Sequence, residues 1–312
     1  MEYRDLGLAV IDEQHRFGVN DRLKLMEKGN HRVDVLAMTA TPIPRTLTLT
    51  AYGDMAASRL NEKPPGRKPI DTRILPTDRL TELVPGLQRQ MAEDNRIYWV
   101  CPLVEESEAV DMAAAEERYE ALQKIFPDRV GLVHGRMKPA EKDEVMSRFA
   151  SGDLSILVAT TVIEVGVNVP AATIMVIEHA ERFGLAQLHQ LRGRIGRGDR
   201  KSTCILLYAG PLSENAADRL KIIRETEDGF IIAEEDLRLR GAGEILGTRQ
   251  SGLPKWRIAD PAEHGDLLDI ARSDARHIIE TDPGLKTERG EALKTLLYLY
   301  EKDQAIAYMG SG

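Results

Sequence analysis

Cysteine is almost missing from this chain. Cys101 and Cys204 are the two in 312 residues, far apart and without Cys-x-x-Cys or Cys/His spacing. That excludes a disulfide-stapled scaffold and a sequence-evident zinc site, and it fits a reducing cytosol. Long apolar runs are missing too. No stretch of about 18 apolar residues occurs, so no membrane-spanning helix is expected. The opening MEYRDLGLAV interrupts any apolar core with charges, so a secretory leader is not expected either. A surplus of positive charge is also absent. The net charge of −8 excludes a surface that coats nucleic acid everywhere, but it leaves room for local basic tracks. Arg192, Arg194, Arg197, Arg200 and Lys201 form one such track. Neither a fixed-period repeat nor a low-complexity segment occurs. What remains is 42% hydrophobic and 29% charged, an ordinary globular composition long enough for two domains or one large one.

The pattern of apolar runs sets out the architecture. Leu6, Leu8, Val10 and Ile11 approach Asp12-Glu13 like a short buried strand, and Val33 to Met38 reads as a second. A helix is expected from about Arg45 to Met55. NEKPPGRKP, residues 61–69, carries three prolines and a glycine and is the best linker. Beyond it, strand-like and helical segments alternate. Strands are expected at 70–75, 96–104, 130–135, 155–161, 172–178 and 202–208. Helices are expected at 80–91, 109–124, 139–149 and 185–191. Near-continuous apolar strands between helices predict a doubly wound, mostly parallel α/β sheet with both faces covered. From about residue 214 the sequence turns charged and helix-rich. The stretch from Gly229 to Gly252 is punctuated by glycine and reads as two short helices or turns and an ordered loop. Residues 263–305 read as mostly helical, with an apolar face at Ala292 to Tyr300 that needs a partner. Two strands near residue 1 cannot bury both of their faces unaided. That segment is therefore expected to be mobile, to pack on the rest of the chain, or to pair with another copy.

Several short strings carry chemistry. Asp12 and Glu13 end a strand, where a carboxylate can hold Mg²⁺ and its neighbour can position water for nucleotide hydrolysis. Alone, such a pair is more readily a surface feature. Its company is GLAQLHQLRGRIGRG, residues 184–198, in which Gln190, Gly193, Arg194, Gly196 and Arg197 spell Q-x-x-G-R-x-G-R. Guanidinium forks suit the charge on a transferring phosphoryl group, and glycine lets backbone approach closely. VATTVIEVGVNVP, residues 158–170, ends a buried strand in Thr160 and Thr161 and continues through Gly166 and Asn168. His134, Gly135 and Arg136 follow another strand, where a nucleic-acid phosphate could be held.

In this order the strings resemble the superfamily-two helicases and translocases. They are more similar still to the RecG family of branched-DNA translocases. VIDEQHRFGV, MTATPIPRTL, VCPLVEESE, LVHGRMKPAEK, ATTVIEVGV and AQLHQLRGRIGRG carry the resemblance, which covers essentially the whole chain. It implies two RecA-like domains, with ATP and Mg²⁺ as cofactors and forked or junction DNA as partner. Asp12 and Glu13 would serve metal and water, with Asp12 the Mg²⁺ ligand. Thr39 and Thr41 would belong to the coupling motif. Gly166, Asn168, Gln190, Arg194 and Arg197 would attend the nucleotide, the two arginines as fingers. His134, Arg136, Thr160 and Thr161 would hold DNA. The stretch from Gly229 resembles the family's translocation motif, a helical hairpin and loop in which Arg240, Arg249 and Gln250 would transmit domain closure. A bacterial cytoplasmic location and a monomer are implied.

Two departures stand out. Asn168 occupies a position where the family usually has aspartate. No G-x-x-x-x-G-K-[ST] occurs, and no Gly-Lys pair occurs at all. The chain is therefore expected to be the C-terminal part of such a protein, inactive in ATP hydrolysis by itself. Its divisions are a remnant of the first RecA-like domain (1–60), a linker (61–69) and the second RecA-like domain (70–212). A helical hairpin and loop (213–260) and a helical extension (261–312) follow. Competing readings are a non-catalytic DNA- or partner-binding module and a piece of a transcription-repair coupling factor. His15 speaks against the latter. The spelling of the acidic box and the hairpin speak against a DEAD-box RNA helicase.

Overall fold

The computed structural model describes residues 6–12, 33–39, 58–60, 62, 66–102, 108–160, 169–246 and 264–300, with backbone only at 108–112, 240–246, 265–266 and 269. The chain divides into two compact units, residues 1–42 with 59–239 and residues 43–58 with 240–312.

In the first unit, six apolar runs become six parallel strands. These are β3 (Ile70–Pro76), β4 (Arg96–Val100), β5 (Val130–Val133), β6 (Ile156–Ala159), β7 (Ala172–Ile177) and β8 (Ser202–Tyr208). Their order across the sheet is β3-β8-β7-β4-β6-β5, and every neighbour pair is parallel. Parallel strands need helical crossovers. These include α1 (Leu80–Ala92), α2 (Glu108–Ile125), α3 (Pro139–Ser151) and α4 (Leu185–Arg192). Alternation within the strands sends side chains to both faces. Ile97, Trp99, Ile156, Val158 and Val176 pack with Leu87 of α1 and Leu122 of α2. Tyr98, Val100, Leu157, Met175 and Ile177 pack with Phe149 of α3 and with Leu185, Leu188 and Leu191 of α4. The latter face also takes Leu220 and Ile223 of α5 (Glu214–Glu225) and Ile232 of α6 (Gly229–Leu246). The doubly wound expectation holds, with four of the six strands shorter than expected. β4 stops at Val100 rather than 104. Cys101 still donates to the Ala159 carbonyl at 2.9 Å, but Pro102 has no N–H to continue the ladder.

Local signals place the helix ends. At α3, Pro139 fills the first turn and the Glu141 carboxylate accepts from the Lys138 N–H at 3.1 Å. Gly152 closes that helix at φ 101°, in the left-handed region. Ser213 caps α5 through its hydroxyl, which accepts from Ala216 N–H at 3.3 Å. Asp228 caps α6 by accepting from Phe230 N–H at 2.8 Å.

The sequence expected two short elements between Gly229 and Gly252. Instead α6 runs unbroken for 18 residues through Gly241 and Gly243. Two interior glycines cost about 1 kcal/mol each relative to alanine. Burial of Ile232, Ala233 and Leu237 anchors the first half of the helix and outweighs that local preference. The expected helix at 45–55 and the loop after Leu246 lie outside the described residues.

The other part of the first unit is a two-stranded parallel sheet. β1 (Leu8–Ile11) pairs with β2 (Asp34–Ala37), Leu8 opposite Asp34 and Ile11 opposite Ala37. Ala9, Ile11 and Val33 are buried, whereas Leu8 and Val10 are more than half exposed. One face is thus covered and the other open. The second unit contains α7 (Gly265–Thr281) and α8 (Glu288–Leu299), joined by a turn organised on Asp282. Its carboxylate accepts from Lys286 N–H at 2.8 Å, Thr287 N–H at 3.0 Å and the Thr287 hydroxyl at 2.7 Å. These bonds, first the Lys286 one, hold the carboxyl below its usual range. The expected apolar face of Ala292 to Tyr300 is exposed at Leu296, Tyr298 and Leu299.

Candidate functional site

Because all six strands run the same way, the sheet has an amino edge and a carboxyl edge. With four to seven residues per strand, the edges lie roughly 13–23 Å apart. The candidate residues divide between them.

At the carboxyl edge, β5 and β6 are neighbours with Val133 opposite Ala159, so His134 and Thr160 leave the sheet side by side. Thr160 is buried, His134 half-buried and Arg136 exposed. The Nδ1 of His134 is enclosed and has no hydrogen-bond partner among the described residues. Lys142 of α3 donates to the Gly135 carbonyl at 3.1 Å and holds the turn in place. Further along this edge Glu178 follows β7. Its buried carboxylate accepts from the Trp99 indole N–H and from Arg118 of α2, whose Nη2 lies at 3.1 Å. The sequence reading missed this group. The signal available to it was an acidic residue closing the apolar run ATIMVI.

The glycine–arginine segment follows α4 and therefore sits at the amino edge. Gly196 lies against Ile70 at the start of β3, and Arg200 donates to the Asp94 carbonyl at 3.1 Å just before β4. A Cβ on Gly198 would stand 3.5 Å from the Pro170 carbonyl, just before β7. Pro170 thus lies beside this segment. The turn itself is tight: Arg194 N–H donates to Leu191 O at 2.9 Å, and Gly196 has φ +71°. A Cβ there would meet Ile70 Cγ1 at 3.1 Å, so backbone conformation and close approach both require glycine. Gly196→Ala is expected to lower stability by about 1–2 kcal/mol in urea unfolding. An unchanged midpoint would mean that the turn is not held this way.

The basic track is smaller than the sequence suggested. Arg200 is engaged with the Asp94–Asn95 turn, and Arg192 is 2% exposed. Arg192 donates to the Ile223 carbonyl, to Thr226 O at 2.9 Å and to Thr72 Oγ1 at 3.4 Å. Burial holds its pKa below the usual arginine range. His189, one turn earlier, is pushed down to about 4 by burial and then by the Arg192 and Arg67 guanidinium groups. Its neutral Nδ1 lies 3.3 Å from Arg192 Nη2. Gln190 and Arg194 are half-buried and Arg197 exposed. Burial also pushes both thiols up to about 12, so neither Cys101 nor Cys204 is poised to react.

Asp12 and Thr39 follow the carboxyl ends of β1 and β2, Asp12 exposed and Thr39 half-buried. An exposed carboxylate at a strand end fits Mg²⁺, which takes one or two carboxylates and completes its shell with water and phosphate. Among the described residues no group of three or more His, Cys, Asp or Glu forms a cage for a metal. Arg240 lies on α6. Glu13, Thr41, Thr161, Gly166, Asn168, Arg249 and Gln250 lie outside the described residues. Among the described residues no helix is long and apolar enough to cross a membrane.

Comparisons with known proteins agree with this fold. Residues 77–199 match the helicase conserved C-terminal domain, and residues 226–305 match the C-terminal part of domain 3 of the ATP-dependent DNA helicase RecG. The chain is 54% identical over 279 residues to the RecG helicase of Acidithiobacillus ferridurans, covering 89% of this chain and 41% of that protein. It is 51% identical over 288 residues to that of Escherichia coli K12, covering 91% and 42%. The chain thus spans about two fifths of the length of the curated relatives it matches. A solved structure of RecG bound to a three-way DNA junction superposes with a TM-score of 0.65 at 45% identity, over 86% of this chain and 34% of that one. Saccharomyces cerevisiae Dbp5 bound to RNA and ADP BeF3 shares the fold alone, with a TM-score of 0.50 at 17% identity, over 86% of this chain and 63% of that one. By sequence and by fold, the chain belongs to the RecG family.

Proposed function

We propose that this chain is the second half of an ATP-driven motor that works on branched duplex DNA as a monomer. One observation supports this above the others. Two arginines suited to a nucleotide, Arg194 and Arg197, and three residues suited to a DNA backbone, His134, Arg136 and Thr160, stand on opposite edges of one parallel sheet. Arg194 and Arg197 sit on the amino edge, with Gln190 close by in α4. They reach a nucleotide held by another domain, so they need not lie on the carboxyl edge where a sheet binds its own ligands. Asn168 offers an uncharged hydrogen bond to a hydroxyl, and Gly166 lets backbone approach. On the carboxyl edge His134, Arg136 and Thr160 hold phosphates of one strand, a role that Thr161 shares. Thr39 and Thr41 link the nucleotide state to DNA, and Arg240, Arg249 and Gln250 pass closure to the duplex. Asp12 holds Mg²⁺, which supplies charge neutralisation on the phosphates when bound, and Glu13 orients the attacking water. Residues 1–60 belong to a first RecA-like domain, 61–69 are the hinge and 70–212 the second domain. Residues 213–260 and 261–312 are the coupling and C-terminal elements.

Phosphoryl transfer by this design is positioning and charge stabilisation, both of which need the cradle backbone and its lysine. The 312-residue chain is therefore expected to show no junction-stimulated ATP hydrolysis. The same chain preceded by a segment bearing G-x-x-x-x-G-K-[ST] is expected to turn over, and Asp12→Ala to abolish that turnover. Robust hydrolysis by the 312-residue chain, lost with Asp12→Ala, would overturn this division of labour. The second reading, a binding module without turnover, draws on the lack of any Gly-Lys pair. It is chosen if the longer chain binds junctions and hydrolyses nothing.

A further inference from the structure

The function proposed above leaves one buried charge unused. Arg192 ends α4 and is 2% exposed, and its hydrogen bonds go to a hydroxyl, two backbone carbonyls and the His189 ring, with the Glu227 carboxylate acting on it only through space. A guanidinium desolvated without a hydrogen-bonded carboxylate is a costly way to fill a core, since an apolar side chain of similar volume is often as stable. The partners of Arg192 show what the cost maintains. Its hydrogen bonds reach the last turn of α5 at Ile223 and the connection to α6 at Thr226. Thr226 and Asp228 in turn form the cap of α6: the Thr226 hydroxyl accepts from Asp228 N–H at 3.0 Å, and Asp228 accepts from Phe230 N–H at 2.8 Å. Glu227, between them, accepts from the backbone N–H of Ile70. The side chain of Ile70 fills the space over Gly196. Arg67, at the end of the linker, donates to Gly193 O at 3.3 Å. Linker exit, arginine turn and base of α6 are therefore joined through a few short links, two of which run through Arg192 itself.

We propose that Arg192 is a positioning residue that couples the Gly193–Arg197 turn to the base of α6, so that displacement of the turn shifts that helix. α6 continues as one helix from Gly229 to Leu246 and includes Arg240. The use of this link in a motor rests on the reading above; the mechanical link itself does not. A plainer role also exists. The final carbonyls of α5 have no partners within their helix, and Arg192 could simply cap them. Capping and coupling differ in one measurable respect. A cap lowers stability when removed, whereas a coupler also changes how α6 responds to a disturbance of the turn.

The test is a double-mutant cycle in the 312-residue chain, read by amide hydrogen exchange at Phe230 to Leu239, with Ile156 to Ala159 as the reference for global folding. Gly196→Ala supplies the disturbance. With Arg192 present it is expected to lower protection at the base of α6 by about five-fold or more. In the Arg192→Met background the same change is expected to have less than about a two-fold effect, as for uncoupled sites. Equal effects in both backgrounds, or none in either, would overturn the coupling and leave a cap. If Arg192→Met loses protection at the reference strand, Arg192→Lys takes its place in the cycle. Its ammonium keeps the charge but cannot span both carbonyls. In a longer chain with ATP turnover, Arg192→Lys is expected to lower junction unwinding per ATP at least five-fold with turnover kept. Parallel losses there would count against coupling. A longer chain without turnover would sink the motor reading and leave the exchange cycle to decide the link.

Discussion

Arg197→Lys is expected to lower ATP turnover by roughly 10³–10⁵-fold in a longer chain that carries the phosphate cradle. The size follows from chemistry. Lysine keeps the charge but loses the planar fork that can hold two phosphoryl oxygens at once. Geometry makes the loss visible rather than absorbed. Arg197 is exposed and follows Gly196, whose φ of +71° and packing on Ile70 hold the turn in one shape. A shorter point charge has little backbone freedom with which to compensate. Stability should move by less than about 0.5 kcal/mol, as at other exposed positions. The pair of measurements is turnover with junction DNA and urea unfolding. Near-normal turnover would remove Arg197 from the nucleotide site, and a parallel fall in stability would make it structural.

The second large effect is on stability below neutral pH. His189 has its folded pKa pushed down to about 4, by burial first and then by Arg192 and Arg67, with Asp228 and Glu227 opposing weakly. An unfolded histidine titrates near 6.5. The unfolded chain therefore binds a proton at His189 that the folded chain refuses, and stability falls with pH. The loss begins below about 6.5 and is complete near the folded pKa, about 4. Between pH 7 and pH 5 it should reach about 1–2 kcal/mol, allowing for solvent near a half-buried ring. His189→Gln keeps a neutral acceptor beside Arg192 and cannot titrate. The difference between the two chains isolates this ring from the other six histidines and from the carboxylates. Equal pH slopes in urea unfolding would mean that His189 is solvated and charged in the folded chain.

Much of this was legible without coordinates, and the reason is local. Period and composition are properties of contiguous residues. ILVA, ATIMVI and STCILLY are apolar throughout because both faces of a parallel strand are buried, and that pattern is visible in the string. The sequence likewise showed Arg194 and Arg197 as a repeated Gly-Arg unit. The family could be recognised from strings of this kind.

Relations between distant residues were not legible. The expected basic track counted Arg192 with Arg194 and Arg197, since five cations in ten residues look alike in a string. Only the packing of α4 against β3 and α5 separates a buried guanidinium from exposed ones. Glu178 drew no attention because its partners, Trp99 and Arg118, stand 79 and 60 positions away. The glycines of α6 read as interruptions because propensity is local, while the burial that overrides it is not. The sequence by itself determined which residues form parallel strands and where several helices begin and end. The tertiary structure alone decided their distribution, with arginines at the amino edge and His134 and Thr160 together at the carboxyl edge. Strand order and direction depend on which crossovers pack over which face, a property of the whole sheet that no single segment encodes.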